Sequence, residues 1–237
     1  MHTPFESGLS RRRFIGGAVA AAVASSSHAW PASAQDTPPT FTRKIKLGVI
    51  GNGGRGGWIA KLFQAHGGYD MWAVADYFQE TADKCGDALG VDRARRFSGL
   101  SGYKRVIESG VEAVAVETPP YFIPEQVQAA VDAGLHVYMA KPVAADVPGA
   151  LRVLATGAQA TRARRCFLVD YQMPTHPINI EVANRVRAGG LGEIARVVTT
   201  GHCGQQKDPP KTANLESRLS GLVWVNDVAL SCDYIGN

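Results

Sequence analysis

Lys46-Leu47-Gly48-Val49-Ile50-Gly51-Asn52-Gly53-Gly54-Arg55-Gly56 decides how the rest of this chain is read. Leu47, Val49 and Ile50 give the apolar core of a short strand covered on both faces, as in a parallel sheet. Gly51, Gly53 and Gly56 then fill the three glycine positions of G-x-G-x-x-G, and a helix is expected over Trp58–Gln64. Each glycine has its own physical reason: the first permits a tight turn, the second lets a pyrophosphate approach the backbone, and the third allows close helix–strand packing. The helix N-terminus would offer its unpaired N–H groups to the phosphates. Gly51, Asn52, Gly53, Gly54, Arg55 and Gly56 are therefore candidate cofactor-binding residues. A plain strand–turn–helix with no ligand stays open on this stretch alone.

Outward from it, Met71-Trp72-Ala73-Val74-Ala75-Asp76 is a second apolar run ending in a carboxylate. Asp76 falls about twenty residues beyond Gly56, where an acidic side chain accepts hydrogen bonds from the adenosine ribose. The alternative role for Asp76 is N-cap of a helix over Glu80–Leu89. Tyr77 and Phe78 follow it, and no arginine stands there to hold a 2′-phosphate, so NAD is favoured over NADP.

The remaining pattern alternates strand and helix. Strands are expected at Arg96–Ser98, Val111–Glu117, His136–Met139 and Cys166–Val169, and helices at Tyr103–Ser109, Pro124–Ala133 and Val147–Ala160. Such alternation with short connections predicts an α/β fold, a Rossmann-type doubly wound parallel sheet, with ligands at the carboxyl ends of the strands. Gly51, Asp76, Thr118, Lys141 and Tyr171 all fall at such ends. From Pro174 the character changes: a helix over Ile178–Ala188, a glycine-rich turn, a strand over Ile194–His202, then polar sequence with a short apolar piece at Val223–Val225. This reads as an incomplete α/β second domain. The division expected is 1–34 leader, 35–42 Pro/Thr-rich linker, 43–172 dinucleotide-binding domain and 173–237 partial second domain.

The leader is Ser10-Arg11-Arg12-Arg13-Phe14-Ile15, a Gly/Ala/Val run, and Ala32-Ser33-Ala34 as an A-x-A cleavage site. It is similar to a twin-arginine signal peptide, which implies the export machinery as a partner, a periplasmic or otherwise exported location, and a mature start at Gln35. The apolar run is shorter than the ~18 residues of a membrane span. Arg11, Arg12 and Arg13 supply much of the formal charge of +4, so the rest is close to neutral and no nucleic-acid partner is implied. Cys85, Cys166, Cys203 and Cys232 form no C-x-x-C pair and no metal-ligand spacing. Cys85 and Cys166 read as small buried hydrophobes, and no metal is expected.

Taken together, the Gly51–Gly56 turn, Asp76, Thr118-Pro119, Ala133–Val137, Lys141-Pro142 and Gly189-x-Leu-Gly-Glu-Ile194 resemble the Gfo/Idh/MocA family, the glucose-fructose oxidoreductases and inositol dehydrogenases. The resemblance covers about residues 43–202. It implies NAD(P)-dependent hydride transfer at a carbon of a sugar- or polyol-like substrate, and a homo-oligomer built on the second domain. Thr118 and Pro119 match the family's loop by the cofactor, where Pro120 replaces an asparagine. Lys141 matches the lysine of the E-K-P motif, next to nicotinamide and substrate, where Ala140 replaces the glutamate; an ordinary exposed lysine is the alternative. Tyr171, Gln172 and His176 follow the sixth strand as weak substrate candidates, and a solvated loop is the plainer reading of His176. The resemblance also implies a catalytic acid and histidine just past Leu230–Ile235, where the sequence ends at Asn237. A truncated family member is the expectation that follows. A catalytically inactive dinucleotide-binding fragment and an NAD-dependent glycoside hydrolase of the same fold stay open beside it.

Overall fold

The computed structural model describes residues 40–198, 200, 214–215 and 227–231. The chain divides into two compact units, Met1–Thr42 and Arg43–Asn237. Of the first, only 40–42 are described, an irregular exposed stretch.

The second unit is built on six parallel strands: β1 Ile45–Ile50, β2 Tyr69–Asp76, β3 Arg96–Ser98, β4 Ala113–Val116, β5 His136–Ala140 and β6 Phe167–Asp170. They lie in the order β3-β2-β1-β4-β5-β6, with every neighbouring pair parallel. The chain therefore winds outward from β1 in one direction, returns, and winds outward from β4 in the other. The switch point between β1 and β4 is where such sheets open a crevice for ligands.

Alternation along the strands divides the core. Leu47 and Val49 of β1 and Ala113 and Ala115 of β4 face one side. Ile50, Val114 and Val116 face the other. The first face is covered by α1 (Gly54–His66) and α2 (Gln79–Leu89), through Ala60, Cys85 and Leu89. The second is covered by α3 (Gly102–Glu108), α4 (Ile123–Asp132) and α5 (Val147–Arg162), through Val106, Val127 and Val153. Small alanines on the α1 face of β4 let that layer close against a glycine-rich helix start. The valines on its other face each remove enough apolar surface for about 1.5–3 kcal/mol. Local signals set the helix ends: Asp146 accepts a 2.7 Å hydrogen bond from Gly149 N to start α5, and Gly90 ends α2 at φ 73°. A 3₁₀ turn, Arg93–Arg95, leads into β3; short α6 (Gln172–Thr175) and α7 (Pro177–Arg187) follow β6; α8 is Val228–Ser231.

Three expectations are corrected. α1 begins at Gly54, not Trp58, with Gly53 as its cap, because backbone packing of the turn outweighs the poor helix propensity of glycine. Cys166 is exposed, since it precedes β6 rather than standing in it, and its amide donates to His136 Nδ1 at 2.9 Å. The described part of the expected Ile194–His202 strand, residues 194–198 and 200, is not in a strand. The leader and the Val223–Val225 piece lie outside the described residues.

Candidate functional site

The glycine turn crosses the end of β1, and its two outer glycines are held by contact. Gly51 has φ +88°, and a Cβ there would stand 2.7 Å from the carbonyl carbon of Glu117 and 2.9 Å from Thr118 N. A Cβ on Gly56 would run into the Gly51 carbonyl oxygen. Gly53 differs: a Cβ there would meet nothing within 4 Å. Two glycines thus lock the turn onto β4, and the third keeps a face of it open.

That open face borders a cavity of about 490 Å³ lined by Gly51, Gly53, Asp76, Tyr77, Phe78, Tyr103, Thr118, Pro119 and Leu230, among others. A second groove, bordered by Asn52, Gly53, Gly54 and Lys61, continues along α1 and α2. Asp76 joins the cavity to the turn: its Oδ2 accepts from Asn52 N at 2.7 Å and its Oδ1 from Phe78 N at 3.1 Å. The cap of α2 is Phe78, with no side-chain capping bond, so Asp76 is not the N-cap. A carboxylate offers about four lone-pair sites, which leaves Asp76 acceptor capacity towards the cavity it lines. Thr118 donates its hydroxyl to Gln126 Oε1 at 2.7 Å. Tyr103, across the cavity, donates to Glu125 at 2.6 Å, and burial and that carboxylate push its hydroxyl up to about 12.

The predicted residues do not all gather there. Gly51, Gly53, Asp76, Thr118 and Pro119 line the main cavity, and Asn52 and Gly54 the adjoining groove. Lys141, half-buried and followed by a cis bond to Pro142, comes directly after β5, one strand beyond β4. Tyr171, Gln172 and His176 are exposed beyond β6.

Arg55 turns beneath the turn rather than towards the cavity. Its Nε lies 3.1 Å from Glu117 Oε2, and its Nη2 contacts Asp170 Oδ2. The Glu117 side chain has 0 % exposure and that of Asp170 9 %. Among the described residues neither Arg55 Nε nor either Glu117 oxygen has an aligned hydrogen-bond partner, so their contact is one of charge. Burial and then the nearby Asp170 carboxylate push the Tyr138 hydroxyl up, and Tyr138 packs edge-on against Phe63 of α1 at 5.1 Å. Burial pushes the Glu117 carboxyl up to about 7; Arg55 opposes the rise and Asp170 adds to it. Glu117, Asp170, Tyr138 and Gln126 do not stand out in the sequence. Glu117 and Asp170 leave a signal there, each as a carboxylate closing an otherwise apolar run.

The family described as "Oxidoreductase family, NAD-binding Rossmann fold", GFO_IDH_MocA, matches residues 45–169. The chain belongs to this family. Gfo/Idh/MocA proteins similar to it include inositol 2-dehydrogenase 3 of Saccharopolyspora erythraea, 31 % identical over 149 residues, 62 % of this chain and 42 % of that protein. A glycosyl hydrolase family 109 protein of Solibacter usitatus is 28 % identical over 157 residues, 63 % of this chain and 35 % of that one. The chain thus spans less than half the length of these curated relatives. Among solved structures, an inositol dehydrogenase homologue of Azotobacter vinelandii complexed with NADH and myo-inositol superposes with TM-score 0.55, at 23 % identity over 65 % of this chain and 41 % of that one. A mutant 3-ketoreductase of Actinomadura kijaniata in complex with TDP-benzene and NADP gives 0.54, at 24 % identity over 64 % and 46 %. These likenesses show the shared fold. In Gfo/Idh/MocA terms the matched span runs from β1 into β6, and the fold it describes is NAD-binding.

Proposed function

We propose that the chain is the cofactor-holding part of an NAD-dependent oxidoreductase that moves hydride between the nicotinamide and a carbon of a sugar- or polyol-like substrate. The observation that carries this reading is the open face of Gly53 with the Asp76 carboxylate beside it, both lining one cavity. A pyrophosphate fits the first and a ribose diol the second. Asp76, with Tyr77 and Phe78 in place of a cation, favours NAD over NADP. The first N–H groups of α1 lack intrahelical acceptors and face the phosphates, while Thr118 and Pro119 flank the chain of the cofactor. The nicotinamide, when bound, supplies the hydride acceptor or donor. Lys141 holds the substrate oxygen and stabilises negative charge as it develops there, and Tyr171, Gln172 and His176 face substrate. The inositol dehydrogenase relative supports the polyol class. In this reading residues 43–172 are the cofactor domain and 173–237 contribute to a substrate domain that carries the general acid and base. Residues 1–34 direct export, supported by Arg11-Arg12-Arg13 and Ala32-Ser33-Ala34; a reporter fused to them and lost from the periplasm on changing Arg11, Arg12 and Arg13 to lysine tests it.

Calorimetric titration of the chain with NAD and with NADP tests the core of the proposal. Saturable binding, tighter for NAD and weakened by Asp76→Ala, is expected; no binding of either nucleotide refutes it. The family 109 relative favours a second reading, NAD-dependent glycoside hydrolysis. Release of a sugar leaving group without net NADH would select it, and polyol-dependent NADH formation the first.

A further inference from the structure

The Arg55–Glu117–Asp170 cluster lies directly under the glycine turn, and its charges do not balance. One guanidinium faces two carboxylates, both nearly or fully buried. Asp170 has the Tyr138 hydroxyl nearby; among the described residues Glu117 has the Arg55 guanidinium alone, and no aligned donor. With all three groups ionised the cluster holds one net negative charge. Gly51 presses against the Glu117 carbonyl, and a Cβ on Gly56 would come within 3.2 Å of Glu117 Cβ. Glu117 thus packs against the turn, and it also lines the main cavity.

We propose that Glu117 takes up one proton from solvent when a dinucleotide binds, so that the pyrophosphate settles over a neutral floor and cofactor affinity depends on pH. The step is a protonation alone: the carboxylate becomes a carboxylic acid and no other bond changes. The inference rests on the cofactor reading above. Two negative phosphates above the turn and one below it repel across a poorly screened interior, where like charges favour protonation of the group that can accept it. Arg55 cannot deprotonate to restore balance. The charged and titratable groups around Glu117 are Arg55 from α1, Asp170 from the end of β6 and, through Asp170, Tyr138 of β5. Asp76 stands at the end of β2, where the Asn52 and Phe78 amides hold it. Burial already brings Glu117 to about 7 before any phosphate arrives, so a modest further rise places the uptake near neutrality.

The test is calorimetric titration of the full chain with NAD between pH 6 and about 8.5, in buffers of different ionisation enthalpy so that proton uptake is counted. For the native chain, a linked uptake that peaks at about half to three-quarters of a proton per NAD between pH 7.5 and 8, and a Kd rising about five- to tenfold from pH 7 to 8.5, are expected. Glu117→Gln, neutral at every pH, is expected to bind NAD with no linked uptake and a flat profile. Asp170→Asn, which removes the neighbouring negative charge, is expected to move the transition to lower pH, and it serves if the glutamine variant does not fold. A native chain that binds NAD without proton uptake overturns the proposal, as does a Glu117→Gln chain that keeps the native pH profile. Failure to bind NAD at any pH overturns the cofactor reading itself, and this proposal with it.

Discussion

Two glycines of the same turn, Gly51 and Gly53, should respond oppositely to the same substitution. Gly51→Ala forces a side chain into φ +88° and onto the Glu117 carbonyl carbon at 2.7 Å and Thr118 N at 2.9 Å. The left-handed backbone alone costs about 1–2 kcal/mol. Backbone atoms just past a central strand cannot yield as a flexible side chain can, so overpacking adds about 1–3 kcal/mol. A loss of about 2–5 kcal/mol is expected. Gly53→Ala meets neither obstacle: its φ is −62° and the added methyl has no neighbour within 4 Å. Alanine is a poorer helix cap than glycine by some tenths of a kcal/mol, while restricting the unfolded chain returns about 0.4–1 kcal/mol. Stability should change by less than about 0.5 kcal/mol. The methyl does occupy the space a pyrophosphate needs, and affinity for NAD should fall about 10- to 100-fold, the equivalent of roughly 1.4–2.8 kcal/mol. Urea unfolding followed by tryptophan fluorescence gives the first quantity and titration with NAD the second. A Gly53→Ala chain that is stable and binds NAD as tightly as the native one refutes the placement of the cofactor on this turn. Equal instability of the two variants refutes the contrast between the closed and open faces of the turn.

Arg55→Met should destabilise the chain by about 3 kcal/mol at pH 8, because it leaves two buried carboxylates without their cation; adding Glu117→Gln should restore part of the loss, and an additive double mutant would argue against the ion cluster. The raised Glu117 carboxyl, about 7 against an ordinary 4.5, means that the folded chain binds the extra proton. Stability should therefore fall as pH rises through the window from 4.5 to 7, by at most about 3 kcal/mol, and Glu117→Gln should flatten that slope in urea midpoints taken across the window. Lys141→Met is expected to leave NAD affinity within about twofold while abolishing hydride transfer in the whole protein, since the role proposed for Lys141 concerns substrate oxygen; loss of NAD affinity would instead place it on the cofactor.

The sheet is legible in the sequence because its central strands, β1, β4 and β5, are short apolar runs that end at a turn or a polar residue. β3 has the expected limits, Arg96–Ser98, and β2 ends at Asp76 as expected. The helix after the turn starts four residues earlier than its sequence suggests, since Gly54, Gly56 and Gly57 carry no helical signal; only the contact of Gly56 with Gly51 reveals why they are helical. Cys166 shows the converse limit. A cysteine beside an apolar run looks buried, yet β6 is the edge strand and Cys166 falls just outside the pairing. Leu168, well inside the same strand, is itself 51 % exposed.

Within the site, local chemistry is readable and long-range charge is not. The open turn and the carboxylate after β2 follow from spacing alone, because both belong to one β-α-β unit. The partners of Arg55 do not. Asp170 lies 115 residues away in sequence and becomes a neighbour only through the order β1-β4-β5-β6. Strands about 4.8 Å apart put the ends of β4 and β6 roughly 10 Å from each other, and the two side chains close that gap by reaching towards one guanidinium. Arg55 meets Glu117 with Nε and Asp170 with Nη2. An arginine among glycines reads naturally as a phosphate ligand. The sheet turns it inward, so that a phosphate placed on this turn, as proposed, would meet backbone N–H groups.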